Sequence, residues 1–173
     1  MNTERMVVPD LVFAQLCELY FFENQLVGGL ERLADASADP ELEALFRKHR
    51  VETLGQVKRL EQAFAALHEI PKAFPTLTVD GLMQDARWMI HTTAKGPGRD
   101  AALMAAARRT EALETALYDN LIRSARTGGH EQVASLCEQN RQEEVAAKEA
   151  MEGLMNIDSA PERTAADLGA TAY

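Results

Sequence analysis

The chain has 173 residues, of which 46% are hydrophobic and 26% are charged, and its formal net charge at pH 7 is −9. This length is enough for one domain with a sizeable core. The acidic balance argues against binding of nucleic acid or anionic lipid through a basic face. No apolar run approaches the roughly 20 residues that span a bilayer, so we expect no membrane segment.

The two cysteines, Cys17 and Cys137, form no CxxC motif. Both fall within predicted helices, on or beside apolar stripes, which is typical of packed and reduced thiols. The start of the sequence lacks the apolar core of a secretory signal. We therefore expect a cytoplasmic protein.

The composition predicts an all-α fold, because helix-forming residues are plentiful and no alternating β-branched run indicates a strand. Helix A is predicted over about Pro9–Ala36. Asp39 indicates an N-cap with Pro40 in the first turn of helix B. Helix B should end near Ile70, because prolines follow it. The short connection makes A and B antiparallel neighbours.

A long crossover over residues 71–98 follows this hairpin. Thr78 or Asp80 is the predicted cap of a short helix that ends before a Lys-Gly-Pro-Gly segment. Helix C is then predicted over 99–126 and helix D over 130–156, with glycines between them. These two helices should form a second antiparallel hairpin.

Two hairpins joined by one long crossover are typical of ferritin-like folds. We therefore predict an all-α, ferritin-like four-helix bundle with one long crossover that carries a short extra helix. It should occupy residues 1–158. Residues 159–173 are rich in small and polar types and are predicted to form a flexible tail.

Glu23 lies in the middle of the apolar stripe of helix A. The residues three and four positions away are Leu19, Tyr20, Leu26 and Val27, so no ion pair within the helix is available. A carboxylate taken out of water costs several kcal/mol. Glu23 must therefore be protonated, paired across the bundle, or bound to a cation.

Similar acids recur in the other helices. Glu23 and Glu52 each lie about fifteen residues from the A/B turn, and Glu114 and Glu144 lie at about the same distance from the C/D turn. Four acids, one from each helix, should therefore meet at mid-bundle height. Their mutual repulsion would be removed by two divalent metal ions.

Iron is the metal we expect, with manganese as the alternative, because both occupy carboxylate sites in such bundles. The predicted ligand set is Glu23, His49, Glu52, Glu111, Glu114 and Glu144. Within this set, Glu52 and Glu114 are predicted to bridge the two ions. Glu23 and Glu144 should each bind one ion, and the remaining two residues complete the shells.

Solvated ion pairs are the alternative for three of these acids. The possible pairs are Glu52 with Lys48, Glu111 with Arg108, and Glu144 with Lys148. Glu143 is more typical of a surface acid flanking the site. Gln56 and Tyr118 are predicted hydrogen-bond partners of the ligands, and Tyr20 or Tyr118 could also serve as a redox-active group.

The sequence resembles the YciE/YciF stress-protein family over about residues 10–155. The resemblance is carried by ELYFFENQL in helix A, LFRKHRVETLGQVKRLEQAF in helix B, RDAALMAAARRTEALETALYDNL in helix C and LCEQNRQEEVAAKEAM in helix D. It implies a bundle similar to rubrerythrin that forms a homodimer. It also places the five glutamates of the predicted ligand set at the acidic positions of the family.

Some departures from the wider di-iron pattern bear on the chemistry. That pattern has a histidine three residues after the glutamate of helices B and D, where this chain has Gly55 and Ala147. The helix C motif reads EALE where many relatives carry His and Tyr between the acids. His49, one turn before Glu52, could compensate for the missing imidazoles.

The hypothesis is a stress-associated protein that binds metal ions and handles iron, O₂ or peroxide. The alternative is a structural or interaction bundle without redox activity, in which the acids are protonated or paired. A third hypothesis is ligand binding in the crossover, around Trp88.

Overall fold

The computed structural model describes residues 9–157, which form five α-helices and contain no β-strand. The helices are α1 (Pro9–Ala36), α2 (Pro40–Ala66), α3 (Leu77–Thr92), α4 (Pro97–Thr127) and α5 (Glu131–Ile157). The pairs α1–α2 and α4–α5 are the two hairpins of a four-helix bundle, and α3 packs on α1 and α4. The predicted all-α bundle with a crossover helix is confirmed. The predicted tail lies outside the described residues.

Three predicted helix boundaries are wrong by two to four residues, and one of them is the start of α4, which lies at Pro97 rather than at residue 99. Helix α2 ends at Ala66 rather than near Ile70, and His68 then adopts a left-handed backbone with φ of 58°. Helix α3 begins at Leu77 because the side chain of Thr76 accepts a hydrogen bond from the N–H of Val79. The cap therefore precedes the predicted Thr78.

The first turn of α4 holds the turn between α1 and α2. The carboxylate of Asp100 accepts hydrogen bonds from the backbone N–H groups of Ala38 at 2.8 Å and Asp39 at 3.0 Å. The side chain of Asp39 in turn caps α2 by accepting from the N–H of Glu41 at 2.7 Å. These bonds fix the height of one hairpin relative to the other.

Two apolar clusters fill the bundle, one around Leu16, Phe64 and Leu121, and the other around Phe46 and Leu103. Between them lies a layer of buried polar side chains, here called the polar layer. It comprises Glu23, His49, Thr53, Gln56, Glu111, Glu114, Tyr118, Asn140 and Glu144.

The predicted packing of the thiols agrees with the structure, in which Cys17 and Cys137 are buried and free. Within residues 9–157, no helix combines the length and apolar character needed to cross a membrane.

Candidate metal centre

The polar layer is built by the same helical periodicity that builds the core. In α2, the buried stripe runs through Phe46, His49, Thr53, Gln56 and Leu60, at spacings of three and four residues. Three polar side chains therefore replace apolar ones in the middle of a continuous buried face. Each of the other three long helices also has at least one polar side chain in its buried face at the same height.

His49, Glu111 and Glu144 form the first group of candidate ligands. The Nε2 atom of His49 lies 3.1 Å from Oε1 of Glu111 and 3.6 Å from Oε2 of Glu144. One donor atom from each residue lies within 4.8 Å of the others, which is close enough to share one metal ion.

Glu23, Glu114 and Glu144 form the second group, with donor atoms again within 4.8 Å of one another. All three side chains are fully buried, at 0% exposure. Glu144 belongs to both groups. Two clusters that share one carboxylate have the layout of a dinuclear metal site.

Two of the acids have a polar partner beside them. The hydroxyl of Tyr118 donates to Oε1 of Glu23, and the amide of Gln56 donates to Oε1 of Glu144. Asn140 Nδ2 donates to the Tyr118 hydroxyl at 2.9 Å and so orients it. Tyr118 and Gln56 thus contact the candidate ligands, as the sequence predicted.

Several candidate ligand atoms have no hydrogen-bond partner among the described residues. Both carboxylate oxygens of Glu114 are in this state, as are Oε2 of Glu23 and of Glu144. The ring nitrogens of His49 make no hydrogen bond of good geometry either, although carboxylate oxygens lie 3.5 Å from Nδ1 and 3.1 Å from Nε2. Buried polar atoms are rarely left unpaired in folded proteins. A cation is the partner that carboxylate oxygens and a neutral imidazole have in common.

In the metal-free polar layer, burial and mutual repulsion oppose the ionisation of the carboxyl groups. Burial, opposed by the hydrogen bond from Tyr118, raises the pKa of Glu23 from its ordinary 4.5 to about 8. Burial and the negative charges of neighbouring acids raise the pKa values of Glu114 and Glu144 well above their usual range. Without a metal, burial therefore favours the protonated form of all three carboxyl groups.

The pKa values of His49 and Glu111 shift so that the charged form of each side chain is favoured. Burial acts to lower the pKa of His49, but the carboxylates of Glu111 and Glu52 outweigh it and raise this pKa well above the ordinary value. Burial acts to raise the pKa of Glu111, yet contact with His49 lowers it overall. Without metal, these two side chains form a buried ion pair.

Glu52 lies outside both groups of candidate ligands. Its side chain is 27% exposed, its Oε1 is 3.0 Å from Nζ of Lys48, and its Oε2 is 3.5 Å from Nδ1 of His49. Contact with His49 lowers the pKa of Glu52. Burial acts to raise this pKa, and Lys48 acts to lower it, so that the pKa is lowered overall. The geometry favours the alternative ion pair for this residue, and the bridging role stays a prediction without support here.

The edge of the layer holds a contact that the sequence did not predict. Arg59 donates through Nε to Oδ1 of Asn140 and through Nη2 to Glu143. Glu143 is thus a flanking acid near the surface, whose partner is Arg59. The signal available in the sequence was Asn140, a polar residue in the apolar stripe one turn before Glu144.

Comparison with known proteins gives consistent matches. A family model described as a domain of unknown function (DUF892) matches residues 8–165. Protein YciF of Escherichia coli (strain K12) is 33% identical over 140 residues, which make up 80% of this chain and 84% of that protein.

Solved structures also match. The crystal structure of the E. coli stress protein YciF matches with a TM-score of 0.84 at 30% identity, over 90% of this chain and 100% of that one. YcfI of Rhodopseudomonas palustris, proposed to be a structural protein, matches with a TM-score of 0.84 at 27% identity, over 88% of this chain and 98% of that one. A protein of Xanthomonas campestris, at 21% identity and a TM-score of 0.70, shares the fold.

The raised pKa values predict how the stability of the metal-free protein depends on pH. Glu23 is protonated below about 8 in the folded protein and only below about 4.5 in the unfolded chain, so its stabilising effect is lost as pH rises between these values. Glu114, Glu144 and His49 act in the same direction. We expect the melting temperature of metal-free protein to fall by about 5 °C or more from pH 6 to pH 9.

Calorimetry of chelator-treated protein measures this dependence. The Glu23→Gln variant should show a shallower decline, whereas Glu149→Gln, which alters an exposed acid on α5, should follow the parent protein. A melting temperature that stays level or rises across this range would contradict the account of the polar layer.

Proposed function

This chain belongs to the DUF892 family, as the resemblance of its motifs to YciF predicted, and we propose that it binds two divalent metal ions in the polar layer. The observation that carries this proposal is the sharing of Glu144 by two groups of buried ligands. Iron is the preferred metal, with manganese as the alternative, because oxygen donors and one imidazole suit both.

The charges of the layer fit such a pair of ions. Four buried carboxylates, from Glu23, Glu111, Glu114 and Glu144, carry four negative charges once they are deprotonated. Two divalent ions supply about four positive charges and leave His49 free to bind as a neutral ligand. The residues present therefore fit the metal pair without any further counter-ion.

The roles of the side chains follow from their positions. Glu144 would be shared by the two ions, because it belongs to both groups. His49 and Glu111 would hold one ion, and Glu23 and Glu114 would hold the other. This assignment gives the bridging role to Glu144 rather than to Glu52, the residue that the sequence favoured.

The partners of the ligands set the orientation of the carboxylates. Tyr118 donates to Glu23 and Gln56 donates to Glu144, so each acid presents its other oxygen to the interior of the layer. Asn140 restrains Tyr118 from the side of α5. Bound iron(II) would supply the electrons for reduction of O₂ or peroxide, and the chain's own groups hold its ligands and exclude bulk water.

The rival function is a structural bundle that lacks metal and redox activity. It is favoured by the pKa of about 8 for Glu23, because a protonated acid needs no cation at neutral pH. In that case the polar layer would only give the core a unique packing. The two functions differ in their response to iron.

Metal analysis of purified protein, with and without added iron(II), tests the proposal. We expect about two ions per chain. Binding should release protons, because carboxyl groups whose pKa values are raised must ionise before they bind a metal ion. Glu144→Gln should leave at most about one ion, since it removes the shared ligand. Glu52→Gln should keep both ions, and Glu149→Gln serves as the matched control on α5.

Less than about 0.2 ion per chain after iron loading would refute the metal site and favour the structural bundle. Loss of metal in Glu52→Gln but not in Glu144→Gln would instead restore the bridging role to Glu52.

The homodimer also belongs to this proposal. Val51 and Leu54 on the outer face of α2 are 65% and 39% exposed, and neighbouring apolar side chains of this kind favour association. Sedimentation should show a dimer of the parent chain and a monomer after Val51→Glu. A monomeric parent chain, or a dimer that Val51→Glu does not affect, would contradict this interface.

A cytoplasmic location and a role in stress are also part of the proposal. The location is supported by the two buried, free cysteines, and the role by the name given to the stress protein YciF. Cell fractionation with an antibody to this chain tests the location, and recovery in a periplasmic or secreted fraction would contradict it.

A further inference from the structure

Helix α3 covers a crevice between α1 and α4. Its walls are mainly apolar, with Leu30 and Leu33 from α1, Leu82 and Met83 from α3, and Ala107 from α4. Glu111, one of the candidate metal ligands, also lines the crevice. The crevice beside α3 therefore reaches a side chain of the polar layer.

Gly29 allows helix α3, which covers the crevice, to lie close to α1. A Cβ atom at this position would come within 3.2 Å of Sδ of Met83, closer than ordinary van der Waals contact. The structure thus explains this glycine by the close approach of α3. The side chain of Met83, which is flexible and buried, also lines the crevice.

Size and polarity limit what the crevice can hold. Its volume is about 30 Å³, and a cavity needs roughly 10–15 Å³ to hold one water molecule. It therefore has space for one or two molecules of that size. Apolar walls favour an uncharged, weakly hydrated molecule over an ion.

The charges along the crevice exclude the metal ions themselves. Arg32, Arg87 and Arg109 are exposed side chains of the lining, so they repel an approaching divalent cation. At the other end, Glu111 is 1% exposed and its Oε2 has no hydrogen-bond partner within the described part of the chain. A neutral molecule passes the arginines without penalty and arrives beside a candidate ligand.

We propose that the crevice under α3 binds O₂ and delivers it to the Glu111 side of the metal centre. The proposal rests on the proposed function, because delivery has a purpose only where metal is bound. It also separates the path of O₂ from the path of iron, which must approach from another side. The crossover thus takes part in ligand binding, although Trp88, which is 67% exposed, is not part of the lining.

Xenon is the first probe, because it occupies small apolar cavities and does not depend on metal. Crystals of metal-free protein under xenon pressure should show an atom between Leu30, Met83 and Ala107. Ala86→Leu adds a side chain to the lining and should reduce the xenon occupancy to less than about half. Ala105→Leu makes the same change on the exposed face of α4 and should leave the occupancy unchanged.

Oxidation of iron(II)-loaded protein by O₂ is the second probe. In this assay two iron(II) ions give two electrons and solvent gives two protons to each O₂, which leaves as hydrogen peroxide. Stopped-flow spectra should show oxidation about tenfold slower in Ala86→Leu than in the parent chain, because the path is blocked. Ala105→Leu should match the parent rate, and all three proteins should contain the same amount of iron.

The outcomes separate the two proposals. A protein that binds no iron defeats the proposed function. Bound iron with no xenon in the crevice, or with equal oxidation rates in Ala86→Leu and Ala105→Leu, overturns the path and leaves the metal centre intact. Xenon in the crevice together with a slowed rate only in Ala86→Leu supports the path.

Discussion

Neutralisation of the buried carboxylates is the constraint on which the structure depends. Glu23, Glu114 and Glu144 are fully buried in the middle of a helical bundle, where desolvation and mutual repulsion both oppose ionisation. The layer can be neutralised by protons or by cations. Neither oxygen of Glu114 has a hydrogen bond within the described part of the chain, whereas a cation satisfies several oxygens at once. The choice between these two states decides whether the chain is a metal protein or a structural bundle.

The rest of the fold keeps these side chains in place. Asp100 joins the start of α4 to the turn between α1 and α2, so the two hairpins cannot slide relative to each other. Apolar clusters above and below the polar layer exclude water from it. Tyr118 and Gln56 each donate a hydrogen bond to one carboxylate oxygen, Tyr118 to Glu23 and Gln56 to Glu144. A dinuclear centre needs this precision, because its ligands come from four separate helices.

The sequence predicted the layer but not its internal geometry. Glu23 could be identified because its helical neighbours offer no counter-charge, and the equal distances from the two turns predicted that acids would meet. The inward position of His49 and the outward position of Glu52 could not be predicted. His49 and Glu52 are three residues apart, so their side chains differ by about 60° around the helix, and a small rotation of α2 decides which of them faces inward. The sharing of Glu144 depends on that rotation and on side-chain conformations, neither of which periodicity determines. The start of α3 was misplaced because Thr76 and Thr78 are both acceptable caps.

An anomalous-scattering map at the iron absorption edge tests the central claim most directly. Crystals should be grown from protein loaded with iron(II) and then freed of loosely bound metal. The account predicts two peaks on either side of Glu144, one beside His49 and Glu111 and the other beside Glu23 and Glu114. A map without peaks in this layer, in crystals where the four acids are buried as described, would contradict it.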